Sequence, residues 1–410
     1  MGVLSKMFKN SSSNLSNPER WLIDLLGGPQ SKAGVRVNLD SALQVMAVYA
    51  CVKLLSETIA SLPFPVYRRL GRGKEKAFDH PLYSTLHDIA NPEMTSFEFR
   101  QTLMVNMLLT KGGFAEIVRN GAGKPAELWP IPSNRVAVQR DPETKKLLYF
   151  IHAPDGKGYI LKPHQIWHLK GMSIDGLNSY EPVTLAREAF GLSMATEEFG
   201  ARFFSQGTNA GGIAEYPGQL SDPAFERYKK SFEEAYSGLT RSNRIIFLEQ
   251  GLKFHKIDTP PEASQFIETR KFQVIEVARF FNVPPHMIMD LERATFSNIE
   301  QQAIGFVVYT LRPWLVKIEQ AASKDLLMPD ERKLYFAKLV VEGLLRGDFK
   351  TRMEGYGLGR QNGWLSANDI RDLEDMNPIP KEQGGDDYLV NGNMRPLRDT
   401  SGPGEGVKTN

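Results

Sequence analysis

Two long helix-forming stretches, separated by a short α/β insert and each closed by glycine or proline, constrain this chain most. Glu181 to Phe204 reads as one helix, with Pro182 in its first turn and Gly207 to Gly212 ending it. Its Ala186, Ala189, Phe190, Ser193 and Met194 offer a small, apolar face. Glu262 to Phe281 reads as a second helix, and Pro284-Pro285 forbids its continuation. That helix carries Phe266, Ile267, Phe272, Val274, Ile275, Val277, Ala278, Phe280 and Phe281, a wider apolar distribution than one buried stripe requires. Two buried flanks, as between neighbours in a ring, would account for it. Ile267, Lys271, Val274, Ala278 and Phe281 are the residues expected at such contacts. A helical pair with an insert at its tip makes a stalk, an unusual plan for an enzyme.

The rest of the chain arranges itself around that stalk. Residues 1–39 read as a Ser/Asn/Lys-rich arm with a short helix over Pro18 to Leu26. Residues 40–180 read as an α+β domain. A helix spans Asp40 to Leu62, with Leu43, Met46, Ala47, Ala50, Leu54 and Ile59 inward and Asp40 or Ser41 as cap. A strand covers Phe64 to Arg69 and a short helix Pro81 to Ile89. Thr95-Ser-Phe-Glu98 is a capping box opening a helix to Thr110. From Gly113 to Leu169, Val/Ile/Leu/Tyr-rich runs alternate with turns, as in an antiparallel β region.

The insert, 207–260, should hold a strand at Ile213 to Tyr216, a helix from Asp222-Pro223 to Tyr236, and strands at Arg244 to Leu248 and Leu252 to Ile257. After a loop at 283–298, a helix kinked at Pro313 should run to Leu327. Smaller helices are expected at Glu331 to Gly343, Phe349 to Tyr356 and Ser366 to Asp375, then a disordered tail over 381–410.

Composition narrows the function classes. Fifty basic and 48 acidic side chains leave a net charge of +2, too little for a protein that grips DNA through its phosphates. No apolar run approaches the roughly 20 residues needed to cross a bilayer, so no membrane partner is expected. The single cysteine, Cys51, lies among apolar residues and reads as a buried hydrophobe.

Three catalytic near-misses fail on chemistry. Asn120-Gly-Ala-Gly-Lys124 has Val118 and Pro125 where a phosphate-binding loop needs Gly and Ser/Thr, so it reads as a hairpin turn. Gly191-Leu-Ser-Met-Ala195 lacks the second glycine of a nucleophile elbow and falls within a helix. His164 and His168 sit on a strand-like run, too far apart to share a metal. No catalytic residue, metal or cofactor is expected.

Several runs resemble the portal, or head-to-tail connector, family of long-tailed double-stranded DNA phages. They are Ile166-Trp-His-Leu-Lys-Gly171 with Gly176-Leu-Asn-Ser-Tyr-Glu-Pro182, then Arg270-Lys-Phe-Gln-Val-Ile-Glu-Val-Ala-Arg-Phe-Phe-Asn-Val-Pro-Pro-His-Met-Ile288. Ile299-Glu-Gln-Gln-Ala-Ile-Gly-Phe306 and Tyr309-Thr-Leu-Arg-Pro-Trp314 are two more, with weaker echoes at Gly343-Leu-Leu-Arg-Gly-Asp348 and Ala367-Asn-Asp-Ile-Arg371. The resemblance covers about residues 40–385.

It implies a portal-like α+β fold. Residues 40–180 with the kinked helix 299–329 would be the wing, and 181–206 and 261–282 the stem. Residues 207–260 would be the clip, 283–298 the tunnel loop and 330–380 a crown. It implies a self-assembled ring, twelvefold as a rule, in the virion's portal vertex and built in the bacterial cytoplasm. Its partners would be double-stranded DNA in non-specific transit, the terminase large subunit, the major capsid protein or scaffold, and a head-completion adaptor. Tunnel-loop candidates are Asp290, Glu292, Arg293, Thr295, Ser297 and Asn298; clip docking candidates are Arg227, Lys229, Lys230, Glu233 and Glu234. The rival readings are another phage head or tail component, a sequence-specific DNA binder and an enzyme of unknown reaction.

Overall fold

The computed structural model describes residues 30–153, 156–205, 212–215, 221–223, 225–227, 230, 253–256, 263–290, 302–341, 344, 349–374 and 376–389. They fall into two compact units, Met1–Val340 and Val341–Asn410.

The first unit opens with residues 30–38, which belong to no loose arm. Ser31 and Val37 are buried, and Gln30 bridges Arg36. Helix α1 (Leu39–Gln44) is capped by Asn38 in a reciprocal box with Ser41, so the cap is neither Asp40 nor Ser41. Val45 is extended (φ −70°, ψ 111°) and separates α1 from α2 (Met46–Ser61). This break displaces the expected inward face. The helix restarts, its phase shifts, and the buried residues are Val48, Cys51, Val52, Leu55, Ser56, Ile59 and Ala60, while Met46 is exposed. Burial pushes the Cys51 thiol up to about 12, so it is inert.

Strands β1 (Val66–Arg69) and β2 (Lys74–Lys76) come next, then α3 (Pro81–His87), β3 (Ile89–Asn91) and β4 (Met94–Thr95). Helix α4 (Ser96–Leu109) starts at the Thr95/Glu98 capping box. It packs on α2, and Arg100, buried, donates to the Leu62 and Ser96 carbonyls.

The β region is two antiparallel three-stranded sheets. In one, β10 (Ile166–Lys170) pairs with β5 (Gly112–Arg119), which pairs with β6 (Pro125–Ile131). In the other, β7 (Val136–Arg140) pairs with β8 (Leu147–His152), which pairs with β9 (Gly158–Leu161). Phe114, Ile131, Val136, Tyr149, Ile151, Leu161 and Ile166 form a core common to both. Asn120–Lys124 is the β5–β6 turn: Asn120 bonds Lys124, and Gly123 takes φ +76°.

Helix α5 (Pro182–Leu185) is a single turn; Ala186 (φ −89°, ψ 5°) parts it from α6 (Arg187–Ser205). In the insert, β11 (Gly212–Glu215) pairs antiparallel with β12 (Lys253–Lys256). Helix α7 (Ala263–Phe280) comes after it. Beyond a π-helical turn, Phe306–Leu311, α8 (Arg312–Asp325) has Pro313 in its first turn. Of the helix expected from Glu331 to Gly343, residues 331–341 are described and form no α-helix. After one 3₁₀ turn, β13 (Tyr335–Ala337) pairs with β1, tying this stretch to the first unit. The β-branched and aromatic side chains of the pairing residues suit a ladder better than a helix.

The second unit holds α9 (Phe349–Gln361) and α10 (Ala367–Leu373), the latter opened by a Ser366/Asp369 capping box. The start of the expected disordered tail is ordered. Asn368 donates to the Ile379 carbonyl and Asp386, and Arg360 to the Asp387 carbonyl.

Candidate assembly and channel elements

Helices α6 and α7 form an antiparallel pair. At one end Phe190 meets Phe280 (5.7 Å between centroids) and Phe281 (6.4 Å). Midway, Gln273 donates to Thr196 Oγ1 at 2.8 Å and to the Leu192 carbonyl at 3.5 Å. Arg270 pairs with Glu197 at 3.5 Å. At the far end Phe199 and Phe266 lie 6.2 Å apart, and the Phe266 ring sits on Gly200, where an added Cβ would come within 2.7 Å of it. Close approach explains that glycine. Gly191, the false nucleophile elbow, is likewise a contact: a Cβ there would lie 2.3 Å from Ser31 Oγ. Lys32 N–H also donates to Glu188 on the same helix.

The expected contact residues divide. Ala278 and Phe281 are buried within the chain, with Val277, where α7 also packs on α2. They are unavailable to a neighbouring copy, which corrects their assignment. Val274 is half-buried, while Lys271 and Ile267 are exposed. Sequence reasoning missed the other exposed apolar positions: Leu185 (53% exposed), Leu192 (51%), Phe199 (50%), Phe272 (56%) and Phe280 (40%). Leu192 and Phe199 lie two helical turns apart on one face of α6, and that spacing was present in the sequence.

The foot of α7 is a built junction. Asn282 takes φ +55°, a conformation Asn tolerates better than most residues, and the Val283 N–H caps the Ala278 carbonyl at 2.8 Å. In a regular helix the Tyr309 carbonyl would receive the N–H of residue 313. Pro313 has none. Tyr309 O instead accepts from Asn282 Nδ2 at 3.1 Å, and Thr310 Oγ1 donates to Asn282 O at 2.6 Å. The proline therefore gives no simple kink. It frees an acceptor that fixes the turn after α7, beside a cavity of about 550 Å³ lined by Asn282, Pro284, Gln302 and Tyr309.

Asp290 is half-buried at the end of this turn. Glu292, Arg293, Thr295, Ser297 and Asn298 lie outside the described residues, as do Lys229, Glu233 and Glu234 and the helix expected over Pro18 to Leu26. Arg227 and Lys230 are exposed and helical.

The model of the phage portal protein family matches residues 46–375. The chain belongs to that family. It is 34% identical over 367 residues to the probable portal protein of Streptomyces phage phiC31, covering 87% of this chain and 80% of that one. It is 30% identical over 381 residues to the portal protein of Enterobacteria phage HK97, covering 91% and 88%. Among solved structures it shares the fold of an HK97 family phage portal protein from Corynebacterium diphtheriae (TM-score 0.54, 20% identity, 74% of this chain and 95% of that chain). It also shares that of a chain in the neck of a native gene transfer agent particle computed with C12 symmetry (TM-score 0.59, 21% identity, 87% and 99%). As a portal, the chain is a structural component of the virion, at the head–tail connector, and forms the channel for DNA packaging.

Proposed function

We propose that the portal closes into a homo-oligomeric ring, twelvefold like the neck of the gene transfer agent particle, through both flanks of the α6–α7 pair. One flank presents Leu192, Phe199, Phe272 and Phe280; the other presents Ile267 and Lys271. Different patches meeting head to tail make a heterologous contact, and such contacts close into rings. The supporting observation is the amount of apolar surface left uncovered on two helices that already share a packed seam.

In this reading residues 207–260 dock the terminase large subunit and later the head-completion adaptor, with Arg227 and Lys230 in reach of a partner. The wing meets the major capsid protein or scaffold, and assembly takes place in the bacterial cytoplasm. Residues 283–298 touch the phosphates of passing DNA without reading bases. A near-neutral chain suits this task, because every phosphate neutralised deepens the well that sliding DNA must leave, once per subunit.

The test is light scattering coupled to size exclusion, with negative-stain microscopy of the same fractions. Rings with a central hole are expected from the natural chain, and folded monomers from Leu192→Ser/Phe199→Ser. A natural chain that stays monomeric in millimolar Mg²⁺ and crowding agents would sink the reading. Arg293→Ala should leave rings intact and alter packaging or DNA retention.

A further inference from the structure

The sheet of β13, β1 and β2 treats charge differently on its two faces. Cross-strand partners share a face, so Tyr67, Arg69, Lys74, Lys76 and Phe336 lie on one, and Arg68, Glu75 and Tyr335 on the other. The second face is neutralised: Arg68 pairs with Glu75 at 3.1 Å and with Asp79 at 2.8 Å, and donates to Tyr335 Oη. The first face holds cations on rings. The Arg69 guanidinium lies 4.3 Å from the Phe336 centroid and Lys74 Nζ 4.2 Å from that of Tyr67, and the two rings stack at 5.5 Å. A ring orients a cation and leaves its charge uncancelled.

Beside Arg69 this face borders a groove of about 420 Å³ against α8. Its lining adds Lys324 and Arg332 as cations, and Gln320 and Ser323 as neutral hydrogen-bonding groups. The carboxylate in the lining, Glu319, is taken: it accepts from Leu339 N–H at 2.8 Å and lies in the field of Lys338 and Lys74. Lys324 is balanced by Asp325 at 2.9 Å. Arg332 donates to the Leu327 and Lys324 carbonyls, which place its guanidinium without neutralising it. Arg69 and Lys333, with Arg72 in the β1–β2 turn, are exposed and pair with no carboxylate among the described residues. Asp330, exposed two residues before Arg332, offsets one of these charges at most. A chain whose net charge is only +2 thus gathers an uncompensated excess around one sheet.

We propose that this basic face of the β13–β1–β2 sheet, with the groove beside α8, binds the phosphate backbone of double-stranded DNA as a second contact, apart from residues 283–298. Arg69 and Arg332 would hold a phosphate in the groove with Ser323 or Gln320 donating to it, and Arg72 would meet a neighbouring one. Charge and donors suffice for phosphate, whereas a protein partner anchors on apolar or aromatic side chains, and the ring in this groove, Phe336, already lies under Arg69. Duplex DNA is also the polyanion that the channel passes. About three phosphates per chain make a weak, salt-sensitive contact that moving DNA can leave. The contact depends neither on the flanks of α6 and α7 nor on Arg293.

The probe is a fluorescein-labelled duplex of about 15 bp, titrated by anisotropy into the natural full chain. Binding should saturate below about 100 μM in about 50 mM salt, and log K should fall against log salt with a slope near −3. Arg69→Gln/Arg72→Gln should weaken binding about tenfold and flatten the slope by about 2; Arg72→Gln alone, in the turn, should flatten it by about 1. Lys53→Glu, at an exposed position of α2, should change neither. Light scattering on the same samples reports ring formation separately, so either reading can fail without the other. An unsaturable natural chain, or slopes unchanged in both arginine variants, would overturn the site. So would an equal loss in Lys53→Glu, which would make the attraction diffuse, or equal competition by a poly-glutamate peptide, which would give the face to an acidic protein.

Discussion

Residues 40–180 and the α6–α7 pair obey the same packing rules and differ in how much of their apolar surface is closed within the chain. Within residues 40–180 a core closes inside one chain, although Phe78, Ile89, Met172 and Ile174 stay exposed around it. Trp167, Phe64, Phe99, Leu103 and Met107 are fully buried, and the buried guanidinium of Arg100 is met by two carbonyls. Along α6 and α7 one seam is packed like a core, yet Leu192, Ile267 and Phe272 beside it are more than half exposed. Under the ring proposal, the exposed flanks of α6 and α7 are the surface that ring closure would cover.

That contrast can be broken residue by residue. Phe190 is fully buried, stacked on two phenylalanines at the foot of the seam. Phe190→Ala should cost about 3–5 kcal/mol, read as a drop in the urea midpoint of the monomer. A midpoint near the natural one would mean that the seam does not hold the pair together. Gly200→Leu forces a side chain into the Phe266 ring and should cost about 1–3 kcal/mol, whereas Gly71→Leu, at an open surface position, should not.

Acid separates the regions further. Burial pushes the His168 imidazole down to about 3 from 6.5, so the folded chain holds it neutral while the unfolded chain protonates it. The stabilising effect is complete above pH 6.5 and is lost as pH falls from there toward 3. Urea midpoints measured across that window should fall less steeply in His168→Gln; parallel slopes would remove His168 as the cause. His80 adds to the effect with the same sign. Burial lowers its pKa, opposed by Glu331 at 3.3 Å.

Thr95→Ala removes one half of the α4 capping box and should cost about 1 kcal/mol by thermal unfolding. Leu192→Ser, at an exposed position of α6, should be the mildest of all on the monomer, within about 0.5 kcal/mol, and yet abolish rings in light scattering. If it unfolds the monomer instead, Leu192 belongs to the seam and the two regions are less different than their exposure suggests.

Local signals were legible wherever neighbours in sequence decide the outcome. The capping boxes at Thr95 and Ser366, the turn at Asn120–Lys124, the antiparallel β region and the paired long helices all arise from a few adjacent residues. Family membership was legible too, from runs such as Arg270 to Ile288. The inward face of α2 was not, because the extended Val45 resets the helical phase. Nor was the strand at Tyr335–Ala337, whose partner lies far away at Val66–Arg68.

The candidate site shows the same division. The amino-acid sequence by itself determined that two apolar helices flank an insert and that prolines close the second of them and punctuate the next. Only the tertiary structure decided that Ala278 and Phe281 turn inward while Leu192, Ile267 and Phe272 stay out, and that Pro313 frees the Tyr309 carbonyl for Asn282. The physical reason is that periodicity fixes which residues share a face, whereas which face is covered depends on what the rest of the chain can reach.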